Sequence, residues 1–488
     1  MEYEVVIGIE VHAQLLTNTK MFCGCSSDYA TASPNTHVCP VCLGMPGTLP
    51  VINHQAVEHT IMTAMALNCA IADASKFDRK NYPYPDLPKG YQISQYDMPL
   101  SRDGWLEVEA DGQVRKIGIE RVHLEEDTAK LTHESAYSLV DFNRAGVPLM
   151  EIVSRPDIRS PEEARQYLGK LRVILRYLGV STGNMEEGAM RCEPNVSLRP
   201  VGSETQGTKV EVKNLNSFRS VKQALEYEIE RQRGLLEAGA KVEQVTMGWD
   251  EAHGRTVFQR SKEFAHDYRY FPDPDLPPLM MDPVWLRGIR DCLPELPDEK
   301  RERFVREHGL TRYDAALLTA DRGIAEYYEA AVSYAREAIE GGEMEVGRKT
   351  ICNWIVGELF RLMRGKSKEL PDVVVSPRQL VDLMLLVVQG SINVTVAKAV
   401  FEEMFASGRE AHEIVAERGL AQISDSSQLE QVIEVVFGEN PKPVAQYLGG
   451  KEAALQFLMG QVMRATRGQA NPEIVLPLLK ERLELQRM

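Results

Sequence analysis

The sequence predicts an α+β protein, in which a mixed first domain built on an antiparallel sheet is followed by all-α domains. Three observations lead there. Apolar and polar residues alternate at period two in several segments before residue 280, whereas almost everything after residue 284 has helical spacing. Between them lies DYRYFPDPDLPPLMMDP (267–283), whose five prolines forbid regular structure over most of its length. A further break near AERGLAQISD (416–425) separates a last helical unit, so the expected domains are 1–283, 284–410 and 411–488. A chain of 488 residues is too long for one core, which agrees with such a division.

The first element is VVIGIEVHAQL (5–15). Side chains alternate across a strand, so Val5, Ile7, Ile9, Val11, Ala13 and Leu15 share one face and Glu10, His12 and Gln14 the other. A lone Glu-x-His pair also suits a strand that merely wets its polar face, and the other segments must decide. FCGCSS and HVCPVCLG follow, placing Cys23, Cys25, Cys39 and Cys42 in a C-x-C, thirteen-residue, C-x-x-C spacing. Two thiolate pairs of this kind converge on one tetrahedral ion, with Gly44 free to take the positive φ of a knuckle; we expect structural zinc in an insertion within the first domain. His37 stands beside this site but is not needed to complete it. Cys69, Cys192, Cys292 and Cys352 are isolated and read as small core residues.

Four more segments alternate. RKIGIERVHLEED (115–127) puts Arg121, His123 and Glu125 on one face; VPLMEIVS (147–154) holds Glu151 inside an apolar run; RCEPNVSLRP (191–200) aligns Glu193, Asn195, Ser197 and Arg199; TKVEVKNLNS (208–217) aligns Lys209, Glu211 and Lys213. Any single charged face is ordinarily a solvated sheet. Glu151 resists that reading, because a buried unpaired carboxylate costs several kcal/mol unless a cation or donors meet it. Two packing helices interrupt the strands. SPEEARQYLGKLRVILRYLG has Ser160 as N-cap, Pro161 at the first helical position, Glu163 to complete a capping box and Gly179 as stop, and a second helix runs from about Ser217 to Ala238. Beyond the proline-rich segment, 297–366 is helical throughout and ELPDVVVSPRQL (369–380) leads into another helix. In the last unit RATRGQ, Lys480, Arg482 and Arg487 are basic, but Glu473, Glu481 and Glu484 dilute them, so charge alone describes a solvated helical surface.

The net charge of −15 opposes unspecific polyanion binding, so any nucleic-acid contact must be local. No window reaches about 18 uninterrupted apolar residues and no secretion signal opens the chain, which predicts a cytoplasmic protein without membrane contact. Glu10, His12, Glu125 and Glu151 together offer hard oxygen ligands and one imidazole, a set that suits Mg²⁺ or Mn²⁺ better than zinc. Arg79 and Lys80 of FDRKNYPYPD, with Arg199 and Lys213, can neutralise phosphate oxygens on the same surface, giving a metal-nucleotide site. P-loop, G-x-S-x-G and cysteine-nucleophile signatures are lacking, which argues against glutamine hydrolysis on this chain.

The runs IGIEVHAQL, KFDRKNYPYPDLPKGYQISQYD, VHLEEDTAKL, DFNRAGVPLMEIVS, MEEGAMRCEPNVSLRP, VEVKNLNSFRSVKQALEYE, DYRYFPDPDLPP, NWIVGELF and GQVMRATRGQANP resemble the B subunit of the bacterial glutamyl/aspartyl-tRNA amidotransferase, over nearly the whole chain. The resemblance implies a glutamine-synthetase-like cradle in the first domain, then a helical domain and a tail that grips tRNA. It also implies that ATP phosphorylates the side-chain carboxylate of Glu on tRNA(Gln) or Asp on tRNA(Asn), and that ammonia then displaces the phosphate. By position it places Glu10, His12, Glu125 and Glu151 at a Mg²⁺ ion, Lys80 near the phosphates or the substrate carboxylate, and Glu193 as a further ligand where some relatives carry Asp. Implied partners are the amidase-type A subunit that supplies ammonia, the small C subunit, the misacylated tRNA and the misacylating synthetase. Two other readings stay open: a tRNA-binding scaffold without catalysis of its own, and a ligase that amidates free glutamate.

Overall fold

The computed structural model describes residues 2–110, 112–261, 268–342, 344–421, 426–466 and 469–486. It divides into two compact units, Met1–Pro297 and Asp298–Met488. In the first, the strands relevant to function are β1 (Tyr3–Gln14), β2 (Asp78–Asn81), β3 (Tyr91–Ser94), β4 (Ser101–Ala110), β5 (Gln113–Glu126), β6 (Pro148–Ser154), β7 (Met190–Pro200), β8 (Val210–Lys213), β9 (Val245–Asp250) and β10 (Arg255–Ser261). Among the described residues the main sheet runs β10-β9-β8-β7-β1-β6-β5-β4, ending on a two-residue edge strand, Ala70–Ile71. Every neighbouring pair is antiparallel except β8 with β9. The period-two pattern explains β1: Ile7, Ile9, Val11 and Ala13 are at most 1% exposed on one face, whereas Glu10, His12 and Gln14 remain partly open on the other.

The apolar face is covered by helices α1 (His54–Ala66), α2 (Pro161–Leu178) and α3 (Phe218–Glu237). Ser160 caps α2 by accepting the Glu163 amide at 3.1 Å, and Gly179 ends it at φ 68°, a left-handed position that favours glycine. The expected capping box is only half made. Glu163 Oε2 accepts from the Arg159 amide (2.7 Å) and Oε1 from Arg115 Nε (2.8 Å), because an arginine on the facing strand competes for it. At the same end Glu162 accepts from Arg165 and from Lys222 of α3 (2.9 Å), and the Arg165 hydrogen bond holds its carboxyl down at about 2. A depressed carboxylate stabilises the fold above its unfolded pKa and loses that contribution as pH falls through the folded value. Glu162→Gln is therefore expected to lower stability by a constant amount above about pH 5, the gap closing toward pH 2; urea melts across that range measure it.

The proline-rich segment differs from its expected role as a domain boundary. Phe271–Pro272 pairs with Arg79 and Asp78, and Leu279–Met280 pairs with Ser75 and Ala74, so the segment is strapped to the first unit. The following helix, α4 (Pro283–Asp291), also belongs there: Ile289 is buried in the first core, and Trp285 Nε1 donates to Glu58 of α1 (2.9 Å). Residues 284–297, expected in the second domain, thus pack with the first. Cys192 and Cys352 are buried as expected and Cys69 partly so; Cys292 is exposed, because it follows the end of α4.

The second unit is helical from Pro297–His308 to Pro472–Leu485, interrupted by a π-helical turn at Trp354–Leu359. Among the described residues its buried apolar side chains form two clusters, Phe304 to Val415 and Leu429 to Leu483. Helix Ala411–Glu417 packs with the former, so the self-contained core of the tail begins nearer 429 than 411. Residues 422–425 of the expected break, with Arg467, Gly468 and Arg487 of the basic set, lie outside the described residues. No helix is long and apolar enough to cross a membrane among the described residues.

Candidate active site

Partners across antiparallel strands point to the same face, and the register here aligns acids from five strands. His12 of β1 stands opposite Glu151 of β6, which stands opposite His123 of β5; Glu10 stands opposite Glu193 of β7, and Asn195 of β7 opposite Glu211 of β8. Glu125 follows His123 by two residues and shares its face.

These groups form two sets rather than the single constellation expected. In the first, His12, Glu125 and Glu151 bring ligand atoms within 4.8 Å of one another. His12 Nε2 lies 3.7 Å from Glu125 and 3.6 Å from Glu151, while His123 Nε2 lies 3.5 Å and 3.2 Å from the same two carboxylates. Ser94 Oγ (2.7 Å) and Gln92 Nε2 (3.3 Å) donate to Glu125 from β3. Burial opposes charge on His12, but Glu151, Glu125 and Glu193 outweigh it and push its pKa up to about 9. Burial would likewise raise Glu151, yet His123 and His12 hold it well below the carboxylate range. Burial and Glu151 oppose ionisation of Glu125, which His123 and Lys80 nevertheless keep low.

The second set is Glu10, Glu193 and Glu211, again within 4.8 Å of one another. Lys213 Nζ pairs with Glu193 at 2.8 Å, Asn195 donates to Glu10 (3.2 Å) and Thr246 Oγ1 to Glu211 (2.7 Å). Both sets are oxygen-rich and close enough to share a hard divalent cation, whose bonds to oxygen span about 2.0–2.6 Å. Glu193 therefore sides with Glu10 instead of with His12. Glu211 and His123 were visible on polar faces in the sequence but not singled out; their cross-strand register is the signal that alternation alone lacks.

Lys80 faces the first set from β2. Burial opposes its charge, but Glu125 above all keeps it protonated, and its Nζ lies 5.1 Å from the ring centre of Tyr268 and 5.8 Å from that of Tyr82. Arg79 does not join it. As the adjacent strand residue it projects to the other face, where Asp273 (2.8 Å) and Asp275 (2.9 Å) engage it over the Tyr91 ring. Arg199 is also elsewhere: it pairs with Glu4 (2.7 Å), six residues along β7 from Glu193 and so roughly 20 Å away. Sequence reasoning missed a neutralising network beside His12, where buried Asp127 accepts from Gln14 Nε2 (2.8 Å) and Arg191 (2.9 Å), with Arg144 at 3.8 Å.

The GatB/GatE catalytic domain family matches residues 5–287 and the GatB domain family residues 334–483. The aspartyl/glutamyl-tRNA(Asn/Gln) amidotransferase B subunit from Dehalococcoides mccartyi is 55% identical over 490 aligned residues, covering 99% of both chains. Its counterpart from Thermomicrobium roseum is 56% identical (99% of both chains), and that from Moorella thermoacetica 55% (99% of this chain, 100% of the relative). The chain belongs to the amidotransferase B-subunit family.

In this B-subunit family member the four knuckle cysteines, Cys23, Cys25, Cys39 and Cys42, also converge, with sulfurs within 4.8 Å of one another, and could hold a metal ion. Gly44 takes φ 67° as the turn requires, and the Cys39 amide donates to Cys42 Sγ at 3.1 Å. A hydrogen bond from Cys23, with help from Lys20, brings the Cys42 thiol down to about 5, while the same contact raises Cys23. The knuckle loop is tied to the approach of β6: the His37 amide donates to Asn143 Oδ1 (2.7 Å), and Lys20 Nζ to the Phe142 carbonyl (3.2 Å).

Proposed function

We propose that the chain performs phosphoryl transfer within a tRNA-dependent amidotransferase, acting on Glu-tRNA(Gln), Asp-tRNA(Asn) or both. A carboxylate is a poor electrophile at neutral pH. Transfer of the terminal phosphoryl of ATP to the side-chain carboxylate breaks the bond to ADP and forms an acyl phosphate; ammonia then attacks the carbonyl carbon, loses a proton and expels inorganic phosphate. Such transfer requires chiefly positioning and charge neutralisation. His12, Glu125 and Glu151, and beside them Glu10, Glu193 and Glu211, would hold Mg²⁺, which supplies positive charge to the phosphate oxygens when bound. Lys80 and Lys213 add fixed positive charge at the two sets, and the imidazoles of His12 and His123 keep the neighbouring carboxylates ionised.

The observation that carries this reading is the pair of carboxylate sets, side by side on one face of the sheet, in a B-subunit family member. The same reading gives the first unit the part of a glutamine-synthetase-like cradle and the second that of gripping tRNA. The amidase-type A subunit would deliver ammonia, and the small C subunit would join the two in the cytoplasm, with the misacylating synthetase supplying the charged tRNA. The test is ADP formation by the complex reconstituted with its A and C subunits, given each misacylated tRNA in turn. ATP turnover that requires acylated tRNA, with labelled phosphate trapped on the tRNA when ammonia is withheld, supports the reading. Amidation of free glutamate without tRNA would replace it with a simple ligase.

We further assign structural zinc to the four cysteines, whose thiol donors and tight convergence suit Zn²⁺. Cys42→Ser is expected to lower zinc from one ion per chain to none in elemental analysis, and to lower the melting midpoint by several degrees. Full zinc content in that variant would overturn the assignment.

A further inference from the structure

A corner of four tyrosines adjoins Lys80 and Glu125. Tyr96 and Tyr270 lie stacked, ring centres 4.3 Å apart and planes 6° from parallel. Tyr268 meets Tyr270 edge-on at 6.2 Å and Tyr82 at 5.7 Å, while Lys80 Nζ sits 5.1 Å from the Tyr268 ring centre. Tyr96 stays 45% exposed, and Tyr82 reaches Glu125 through Gln92, donating to its Oε1 at 3.3 Å.

The corner is rigidly mounted. The Tyr96 amide donates to buried Asp78 Oδ2 (3.0 Å), and Lys76 bridges Asp78 (2.6 Å) and Asp97 (2.7 Å). Between Tyr268 and Tyr270, Arg269 takes φ 44°, a left-handed conformation that costs a non-glycine residue of order 1–3 kcal/mol unless its surroundings impose it. The Asn81 amide imposes it, donating to the carbonyls of Tyr268 (3.3 Å) and Arg269 (2.9 Å). A left-handed residue pinned beside a charged site, with half-open planar rings on either side of it, suits ligand recognition.

We propose that the Tyr96–Tyr270 stack, walled by Tyr268 and Tyr82, seats an adenine ring. The proposal rests on the phosphoryl-transfer reading, in which adenine comes from two sources: the nucleotide, and the terminal adenosine that carries the aminoacyl ester. Stacking on aromatic rings suits any base, and Lys80 with Glu125 lies where the attached phosphate or ester chain would continue.

The test compares Tyr96→Leu and Tyr270→Leu with Tyr96→Phe and Tyr270→Phe in the reconstituted complex, KM being measured for ATP at saturating acyl-tRNA and for acyl-tRNA at saturating ATP. The leucine variants are expected to raise one of the two KM values about tenfold with kcat little changed, whereas phenylalanine, which keeps the stacking face, stays near wild type. If ATP is the source, its KM rises and ADP loses its advantage over pyrophosphate as an inhibitor. If the tRNA is the source, its KM rises while the KM for ATP stays near wild type. Unchanged KM values in both folded leucine variants, or phenylalanine variants as impaired as leucine, would overturn the proposal. A wild-type complex without acyl-tRNA-dependent ATP turnover defeats instead the phosphoryl-transfer reading beneath it.

Discussion

Glu125→Gln is expected to cut acyl-tRNA-dependent ATP turnover about 10²–10³-fold while leaving tRNA binding near wild type. The substitution keeps the shape of the side chain, but it removes the negative charge and turns one of the two oxygens that accept from Ser94 and Gln92 into a donor. Because His123 and Lys80 hold Glu125 ionised against burial and Glu151, losing its charge also costs stability, so turnover is compared at a temperature where melting curves show both proteins folded. A loss of turnover is then a loss of chemistry. His12→Ala, which removes the imidazole facing both carboxylates, should act in the same direction. Full ATP-dependent activity in both variants would leave the chain as a tRNA-binding scaffold.

The second large effect concerns stability. Asp127→Ala is expected to destabilise the first unit by about 1–3 kcal/mol, because it removes the buried carboxylate on which Gln14 and two partly exposed guanidinium groups converge. Asp127 is 3% exposed and accepts hydrogen bonds from Gln14 and Arg191 while facing Arg144. Urea-induced unfolding of the full chain followed by tryptophan fluorescence measures the change. The double variant Asp127→Ala, Arg191→Ala should recover part of the loss, since it removes one uncompensated cation along with its partner. Additive losses would show that the pair is not coupled.

Much of the central sheet is legible in the residues themselves. Alternation marks β1, β5, β6 and β7, and the improbability of an unpaired Glu151 inside VPLMEIVS points to a neighbouring cation. Ser160 and Gly179 delimit α2 correctly because capping is local chemistry. Pairing is not local. Nothing in TKVEVKNLNS says that Glu211 meets Glu10, or that His123 shares its two carboxylates with His12, since both facts depend on strand order and register. The same limit explains Arg79 and Arg199: each lies in a basic motif, but Asp273 with Asp275, and Glu4, compete for them from distant parts of the chain. β4, β9 and β10 carry no chemical motif and escaped notice. The strap from 268 to 283 misled for a related reason, as proline forbids long ladders yet permits the two-residue pairings at Phe271–Pro272 and Leu279–Met280.

β1 is an interior strand of the sheet, and it is made before both of its neighbours, β6 and β7. The partner that completes it ends at Pro200, so at about 5–20 residues per second the nascent β1 waits roughly 10–40 s with one edge unpaired. Newly made chains therefore pass through an interval when VVIGIEVHAQL is a sticky, unpaired segment, and expression yield should respond to chaperone supply during translation more than to the thermodynamic stability of the finished protein.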